Sequence, residues 1–176
     1  MKHAFFLAPA GSGIGLTTVA LGLVNALDRK GVRVAFFKPI AQETEGDSGP
    51  ERSTHFIRAT TALKPADPIP LATATKTISE RGFKELMSQV IGAYGASTAS
   101  AEMVVVEGLL PAVIDSYLGI VNHELVATLN AEVILVASQA NKSIEQLDER
   151  HSAAWRRSSG LSSTGIQSTN RQLWKI

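Results

Sequence analysis

The stretch that decides the fold is residues 8–18, Ala8-Pro9-Ala10-Gly11-Ser12-Gly13-Ile14-Gly15-Leu16-Thr17-Thr18. It lies between an apolar run at residues 3–8 and a segment from Leu16 onward in which apolar residues recur at helical spacing. Lys30-Gly31 ends that segment as a helix usually ends. A glycine-rich loop between a strand and a helix lets backbone N–H groups converge on one hollow, beside the positive end of the helix. The stretch therefore predicts an anion-binding loop.

Outward from this loop, three more short apolar runs predict strands at residues 32–37, 103–106 and 133–137. Apolar side chains at successive positions are typical of strands that are buried on both faces of a parallel sheet. Helices are expected around residues 53–62, 79–94 and 116–129. The alternation favours an α/β fold: an open, mostly parallel sheet with helices on both faces and right-handed crossovers.

Composition bounds the function. The chain has 176 residues, which fits one domain with a tail, and its net charge of +1 gives no support for nucleic acid or a membrane as a partner. The absence of cysteine excludes disulfides, thiolate metal sites and cysteine nucleophiles. No signal peptide or spanning segment is recognisable, so we expect a cytoplasmic protein.

The loop has the P-loop arrangement but lacks its lysine. Gly15 and Thr17 occupy the matching places, and Leu16 stands where lysine would reach the outer phosphates. Lys38, after the second strand, lies at the edge where ligands bind in such sheets and is a partial substitute. Two interpretations stay open: an anion or nucleotide site without strong catalytic power, and an inherited glycine turn that is now empty. An ordinary ATPase or kinase is not expected.

Glu107 follows the third strand at the same edge, where a carboxylate can hold magnesium, with Asp47 assisting. Without the loop lysine, magnesium has less reason to bind, so we expect no metal, and Glu107 is then a polar residue at a strand end. The four histidines lack metal-ligand spacing, and Ser12, Ser48 and Ser138 lack a nucleophile motif. We expect no catalytic residue and no cofactor in this chain.

The segments GSGIGLTT, LGLVNALDRKGVRVAFFKPIAQ, VVVEGLLP and LNAEVILVASQ resemble the N-terminal domain of long-form bacterial phosphate acetyltransferase. The resemblance covers residues 2–150. Its most specific features are the leucine at the P-loop lysine position and the pairing of FKPIAQ with VEGLLP. The wider superfamily includes dethiobiotin synthetase and the cobyrinic acid amidotransferases, which need the P-loop lysine for ATP. Leu16 therefore favours the acetyltransferase branch, and an ATP-dependent synthetase and an interaction module with an empty loop remain the alternatives.

The resemblance implies an enzyme that moves an acetyl group between coenzyme A and inorganic phosphate, with its chemistry in a C-terminal domain that this chain lacks. It implies a regulatory and oligomerisation role here, with the rest of the enzyme as partner, a homo-oligomer, and effectors such as NADH or pyruvate. Carried onto this chain, the degenerate nucleotide or effector site is formed by Gly11, Ser12, Gly13, Gly15, Thr17, Thr18, Lys38 and Glu107.

Residues 151–176 differ from residues 1–150, the P-loop-like α/β domain. They contain no acidic residue, are rich in serine and arginine, and hold both tryptophans of the chain. Three interpretations remain: a solvated tail, a basic partner-binding tail, and an end that is truncated or out of frame. No strand-like run appears where the family pattern adds its next strand. We therefore expect the last strand or strands of the sheet to be missing, the preceding sheet edge to be exposed, and the isolated chain to be marginally stable or to associate.

Overall fold

The computed structural model describes residues 2–42, 51–110 and 117–138. Within them the fold is α/β, as predicted, with four parallel strands in the order β2-β3-β1-β4. The strands are β1 (His3–Pro9), β2 (Val34–Phe37), β3 (Met103–Glu107) and β4 (Glu132–Val136). The helices are α1 (Leu16–Arg29), α2 (Arg52–Thr60), α3 (Leu71–Arg81), α4 (Phe83–Ser97) and α5 (Tyr117–Leu129).

Both faces of the sheet are covered, which explains the continuous apolar runs of its strands. On β1, Phe6 packs into one core with helices α3, α4 and α5, while the next residue, Leu7, packs into a second core with α1 and α2. On β3, Val104 and Val106 join the first core and Val105 the second. Because successive strand residues point to opposite faces, both sets must be apolar.

Helix α1 begins and ends where the sequence predicts. Gly15, with φ of 75°, is its N-cap, and no side chain caps its first turn. At the other end the N–H groups of Gly31 and Val32 donate to the carbonyls of Asp28 and Leu27. This is the Schellman arrangement that glycine favours after a helix. The glycine loop is therefore fixed between β1 and a helix of defined start.

The predicted helix at residues 79–94 is wrong in its start. Helix α3 already occupies Leu71–Arg81, and α4 begins only at Phe83. Gly82, with φ of 86° and ψ of 165°, separates them in a backbone conformation that is nearly restricted to glycine. The sequence analysis placed no helix at residues 71–78, which follow Pro65, Pro68 and Pro70, whereas Pro70 is the N-cap of α3.

Other boundaries differ by one to three residues. Strand β2 begins at Val34 rather than at residue 32, β3 continues to Glu107, and β4 is Glu132–Val136 rather than residues 133–137. Helix α2 is Arg52–Thr60 against a predicted 53–62. The predicted tail at residues 151–176 lies outside the described residues, as do Asp47, Ser48, Ser116 and His151.

Strand β4 is the edge of the sheet within the described residues. Val133 is 49% exposed and Leu135 45% exposed, on the face of the sheet where β1 presents Phe6 and Ala8. Ile134 and Val136 pack on the opposite face with the α1 core. A strand of a parallel sheet is normally buried on both faces. Within the described residues, the side chains on one face of β4 are therefore partly exposed, and the prediction that the next strand is missing concerns residues after 138, which lie outside the described part of the chain.

Candidate functional site

The glycine loop lies at the carboxyl end of β1 and leads directly into α1. The N–H of Ala10 donates to the carbonyl of Val136, which ties the start of the loop to β4. The first turn of α1 contains no acidic residue and no side-chain cap. The first N–H groups of a helix have no partner within the helix, so they form the positive end of the site. Four of the predicted residues are exposed and two are half-buried: Ser12, Gly13, Gly15 and Thr18, and then Gly11 and Thr17.

Leu16 does not line an anion site. Its side chain is 6% exposed and packs in the core formed with Leu7, Ala20, Val24 and Val136. A lysine at this position of a complete P-loop places a charge on the outer phosphates. Here the same position stabilises the contact between α1 and the sheet. The substitution therefore converts a ligand contact into a core contact.

Lys38 and Glu107 come together at the carboxyl ends of β2 and β3. The Lys38 Nζ lies 3.0 Å from Glu107 Oε1, and the two side chains are 4% and 3% exposed. The Lys38 ammonium also donates to the carbonyl of Gly108 at 3.2 Å. Two charges removed from water require such pairing, because each alone would cost several kcal/mol. The charge of Lys38 is therefore balanced by Glu107 rather than offered unopposed to the loop.

Ser53, in the first turn of α2, connects this ion pair to the glycine loop, and the sequence analysis missed it. Its hydroxyl donates to Glu107 Oε1 at 2.7 Å and lies 2.8 Å from the hydroxyl of Thr17. Asp47, the predicted assistant of Glu107, lies outside the described residues. No local pattern identifies Ser53, because its partners are 36 and 54 positions away along the chain.

The direction of the hydrogen bonds follows from the number of protons. The single hydroxyl proton of Ser53 goes to the Glu107 carboxylate, which only accepts when ionised. Thr17 must therefore be the donor in its bond to Ser53. The chain of bonds runs from Thr17 to Ser53 to Glu107, and Lys38 donates to the same carboxylate oxygen. The other oxygen, Glu107 Oε2, is buried and has no partner within the described residues.

Two amide side chains hold the loop that follows Glu107. Gln42 and Leu110 exchange two hydrogen bonds, of 2.9 Å and 2.7 Å. Asn122 of α5 exchanges two with Leu109, both of 2.9 Å. Between Glu107 and these clamps, the backbone of Gly108 is so close to β1 that a Cβ there would lie 2.6 Å from the Leu7 carbonyl oxygen. These contacts fix the backbone on which the Glu107 side chain is carried.

The remaining titratable groups do not extend this site. In the described part of the chain, no group of three histidine, cysteine, aspartate or glutamate residues could hold a metal ion. Burial raises the pKa of Tyr94, and a hydrogen bond with Thr98 partly offsets this rise. Tyr94 packs edge-to-face on Phe37 in the α4 core.

Over residues 2–42, 51–110 and 117–138, no helix has the length and apolar character needed to cross a membrane.

Comparison with known proteins identifies what the chain resembles. Residues 3–166 match the AAA_26 family, described as an AAA domain. The chain is 43% identical over 148 residues to a phosphate acetyltransferase of Pseudomonas aeruginosa, and 40% identical over 150 residues to one of Salmonella typhimurium. These matches cover 84% and 85% of this chain but 21% of each relative.

A phosphate acetyltransferase of Deinococcus radiodurans is 41% identical over 165 residues, or 92% of this chain and 23% of the relative. The chain thus spans about a fifth of the length of the curated relatives that it matches. The resemblance to phosphate acetyltransferases that the sequence analysis found is confirmed. The family match also runs past residue 150, into the segment that was treated as a separate tail.

Proposed function

The chain belongs to the AAA_26 family of AAA domains, and we propose that it is the N-terminal regulatory and assembly part of a phosphate acetyltransferase. Such an enzyme moves an acetyl group between coenzyme A and inorganic phosphate. In this proposal the acyl transfer belongs to parts of the enzyme that the 176 residues do not represent. The chain alone binds small molecules and other protein segments, without catalysis.

The position of Leu16 carries the non-catalytic part of this proposal. Phosphoryl transfer depends on cations placed where negative charge is redistributed. Leu16 lies in the core, and Lys38 is neutralised by Glu107. The remaining attraction for an anion comes from the backbone N–H groups of the loop and the first turn of α1. That is enough to hold a small anion and too little to drive ATP chemistry.

The effector site consists of the glycine loop, residues 11–18, with Lys38 and Glu107 behind it. A phosphate-like or carboxylate group is the chemistry that such a loop holds. NADH and pyruvate, the effectors implied by the resemblance, both carry an anionic group of this kind. The loop N–H groups bind the anion, Thr17 adds a hydroxyl, and the Lys38–Glu107 pair keeps the sheet edge rigid.

Assembly is the second half of the proposal. Its partners are the remaining domains of the enzyme and further copies of the chain, in a homo-oligomer located in the cytoplasm. The exposed apolar face of β4, with Val133 and Leu135, supports a role in contacts, because an apolar edge strand favours pairing with other protein.

Isothermal titration calorimetry tests the proposal that the glycine loop binds an anionic effector. We expect phosphate, NADH or pyruvate to bind the purified chain, and magnesium-ATP to bind with a Kd of about 1 mM or weaker. Thr17→Val should weaken anion binding, whereas Thr73→Val, on the exposed surface of α3, should leave it unchanged. Tight magnesium-dependent ATP binding with turnover would instead support the synthetase alternative.

An activity assay tests the proposal that this chain regulates the enzyme while other parts of the enzyme catalyse acetyl transfer. The isolated chain should form no acetyl phosphate from acetyl coenzyme A and phosphate, and adding it to the rest of the enzyme should restore the effector response. Acetyl phosphate formation by the 176 residues alone would contradict the proposal. An unchanged response of the enzyme with and without this part would contradict its regulatory role.

A further inference from the structure

Helix α2 is the element of the described structure that is bonded to the glycine loop through side chains. Its Ser53 hydroxyl accepts a hydrogen bond from the hydroxyl of Thr17 and donates one to Glu107. Ser53 is 4% exposed, so water does not readily replace either bond. Thr17, a residue of the proposed anion site, thus helps to hold the first turn of α2.

Thr17 has one hydroxyl proton and two uses for it. In the structure that proton is donated to Ser53. An anion held by the loop presents oxygen atoms that accept protons, and a threonine at this place in the loop is a donor to such a ligand. The two acceptors compete, since one proton makes one strong hydrogen bond.

We propose that an anion in the glycine loop replaces Ser53 as the acceptor of the Thr17 hydrogen bond and thereby loosens the first turn of α2, so that the order of this turn depends on whether the loop is occupied. This inference rests on the proposed function, because it assumes that the loop binds an anion. It adds a regulatory route from that site to the protein surface.

The two ends of α2 are anchored differently, which determines what moves. At the C-terminal end Ile57 is fully buried in the α1 core, and Arg58 contacts Asp67 at 2.7 Å and the Pro65 carbonyl at 2.6 Å. At the N-terminal end, Ser53 is held through Thr17 and Glu107, and the Glu51 carboxylate accepts hydrogen bonds from the N–H groups of Ser53 and Thr54. Loss of the Thr17 bond removes one of these contacts and leaves the others, so it loosens the first turn more than the second.

A movement of the first turn of α2 would alter side chains that are exposed on the protein surface. Phe56 is 40% exposed, and the Arg52 guanidinium lies 5.6 Å from the centre of its ring. A shift of the first turn changes the spacing of this exposed cation and aromatic ring. Another domain that rests on α2 would sense that change.

Hydrogen exchange of the full chain with inorganic phosphate as the probe tests the inference. Phosphate should protect the amides of residues 11–18 and speed exchange in residues 53–57 by roughly two- to tenfold, as expected for the loss of one hydrogen bond. Protection of the loop with unchanged exchange in α2 would overturn the relay and leave the anion site intact. No protection of the loop would overturn both the anion site and the relay.

Variants provide the reciprocal measurement, because coupling between two sites acts in both directions. Ser53→Ala frees the Thr17 proton and should tighten phosphate binding by roughly two- to tenfold, and phosphate should no longer speed exchange in α2. Thr54→Val is the matched control: Thr54 is the buried neighbour, its Oγ1 has no partner among the described residues, and its loss should change neither quantity.

Thr17→Val should weaken phosphate binding, and adding Ser53→Ala to this variant should not raise its affinity for phosphate. If Ser53→Ala raised the affinity for phosphate equally in the parent chain and in Thr17→Val, the proposal that Ser53 and the anion compete for the Thr17 hydrogen bond would be overturned.

Discussion

At the residue scale, the Lys38–Glu107 pair shows how a buried charge is tolerated at the sheet edge. Each charge is almost fully removed from water, and each has its opposite within 3.0 Å. Ser53 and the Gly108 carbonyl supply further hydrogen bonds. Removing one partner of such a pair costs more than the pair contributes, because the other charge is left buried.

We therefore predict that Lys38→Met lowers the free energy of unfolding by about 3–5 kcal/mol, since Glu107 then lacks its counter-ion. Urea denaturation of the variant measures this. Lys38→Met with Glu107→Gln should recover much of the loss, because no uncompensated charge remains. A single variant as stable as the parent chain would show that water reaches Glu107.

Gly108 is a second residue whose identity is fixed by contact. A Cβ at this position would lie 2.6 Å from the Leu7 carbonyl oxygen and 2.9 Å from the Phe6 ring. Gly108→Ala should therefore destabilise the chain by about 1–3 kcal/mol through overpacking. Gly92→Ala in α4, where nothing lies within 4 Å of the added Cβ, should instead stabilise it by up to about 1 kcal/mol. Thermal unfolding of both variants measures the difference, and equal effects would contradict the close approach.

At the element scale, α4 is held against β2 by the edge-to-face contact of Tyr94 with Phe37, whose ring centres are 5.3 Å apart. Burial of the hydroxyl end disfavours the phenolate, so the pKa of Tyr94 in the folded chain lies above its ordinary value of 10.0. The stabilising effect is complete below pH 10, the unfolded pKa, and is lost as pH rises through the folded pKa.

We predict that the unfolding free energy of the chain falls above pH 10, and that it falls less steeply in Tyr94→Phe. The variant keeps the ring contact with Phe37 and has no group to ionise there. Urea denaturation at several pH values between 8 and 11 measures the two slopes. Identical slopes would show that the pKa of Tyr94 is not raised in the folded chain.

At the scale of the whole molecule, the described sheet ends at β4 with Val133 and Leu135 half-exposed. Edge strands with apolar surface pair readily with other chains unless a charge interrupts them. The isolated chain should consequently associate as its concentration rises.

We predict that Val133→Lys reduces association of the isolated chain, measured by sedimentation velocity across a concentration series. Val19→Lys is the matched control, because Val19 is 37% exposed on α1, away from the strand edge. It should leave the association unchanged. A monodisperse parent chain with cooperative melting at high temperature would contradict the prediction.

The sequence alone determined the α/β fold, the strands and the start of α1. These features depend on local patterns: runs of apolar residues, helical spacing, and glycine at turns. It also placed Lys38 and Glu107 at one edge, since carboxyl ends of parallel strands meet there. It did not predict α3, because a proline such as Pro70 is compatible with both an extended segment and a helix start.

Only the tertiary structure decided what those residues do to one another. Sequence cannot show that Leu16 turns into the core, that Lys38 is neutralised by Glu107, or that Ser53 joins Thr17 to the ion pair. The Thr17–Ser53 and Lys38–Glu107 contacts connect residues 36 and 69 positions apart, and their hydrogen bonds depend on distances of a few tenths of an ångström. Local propensity specifies the elements, whereas packing between elements determines which polar atoms are left to meet a ligand.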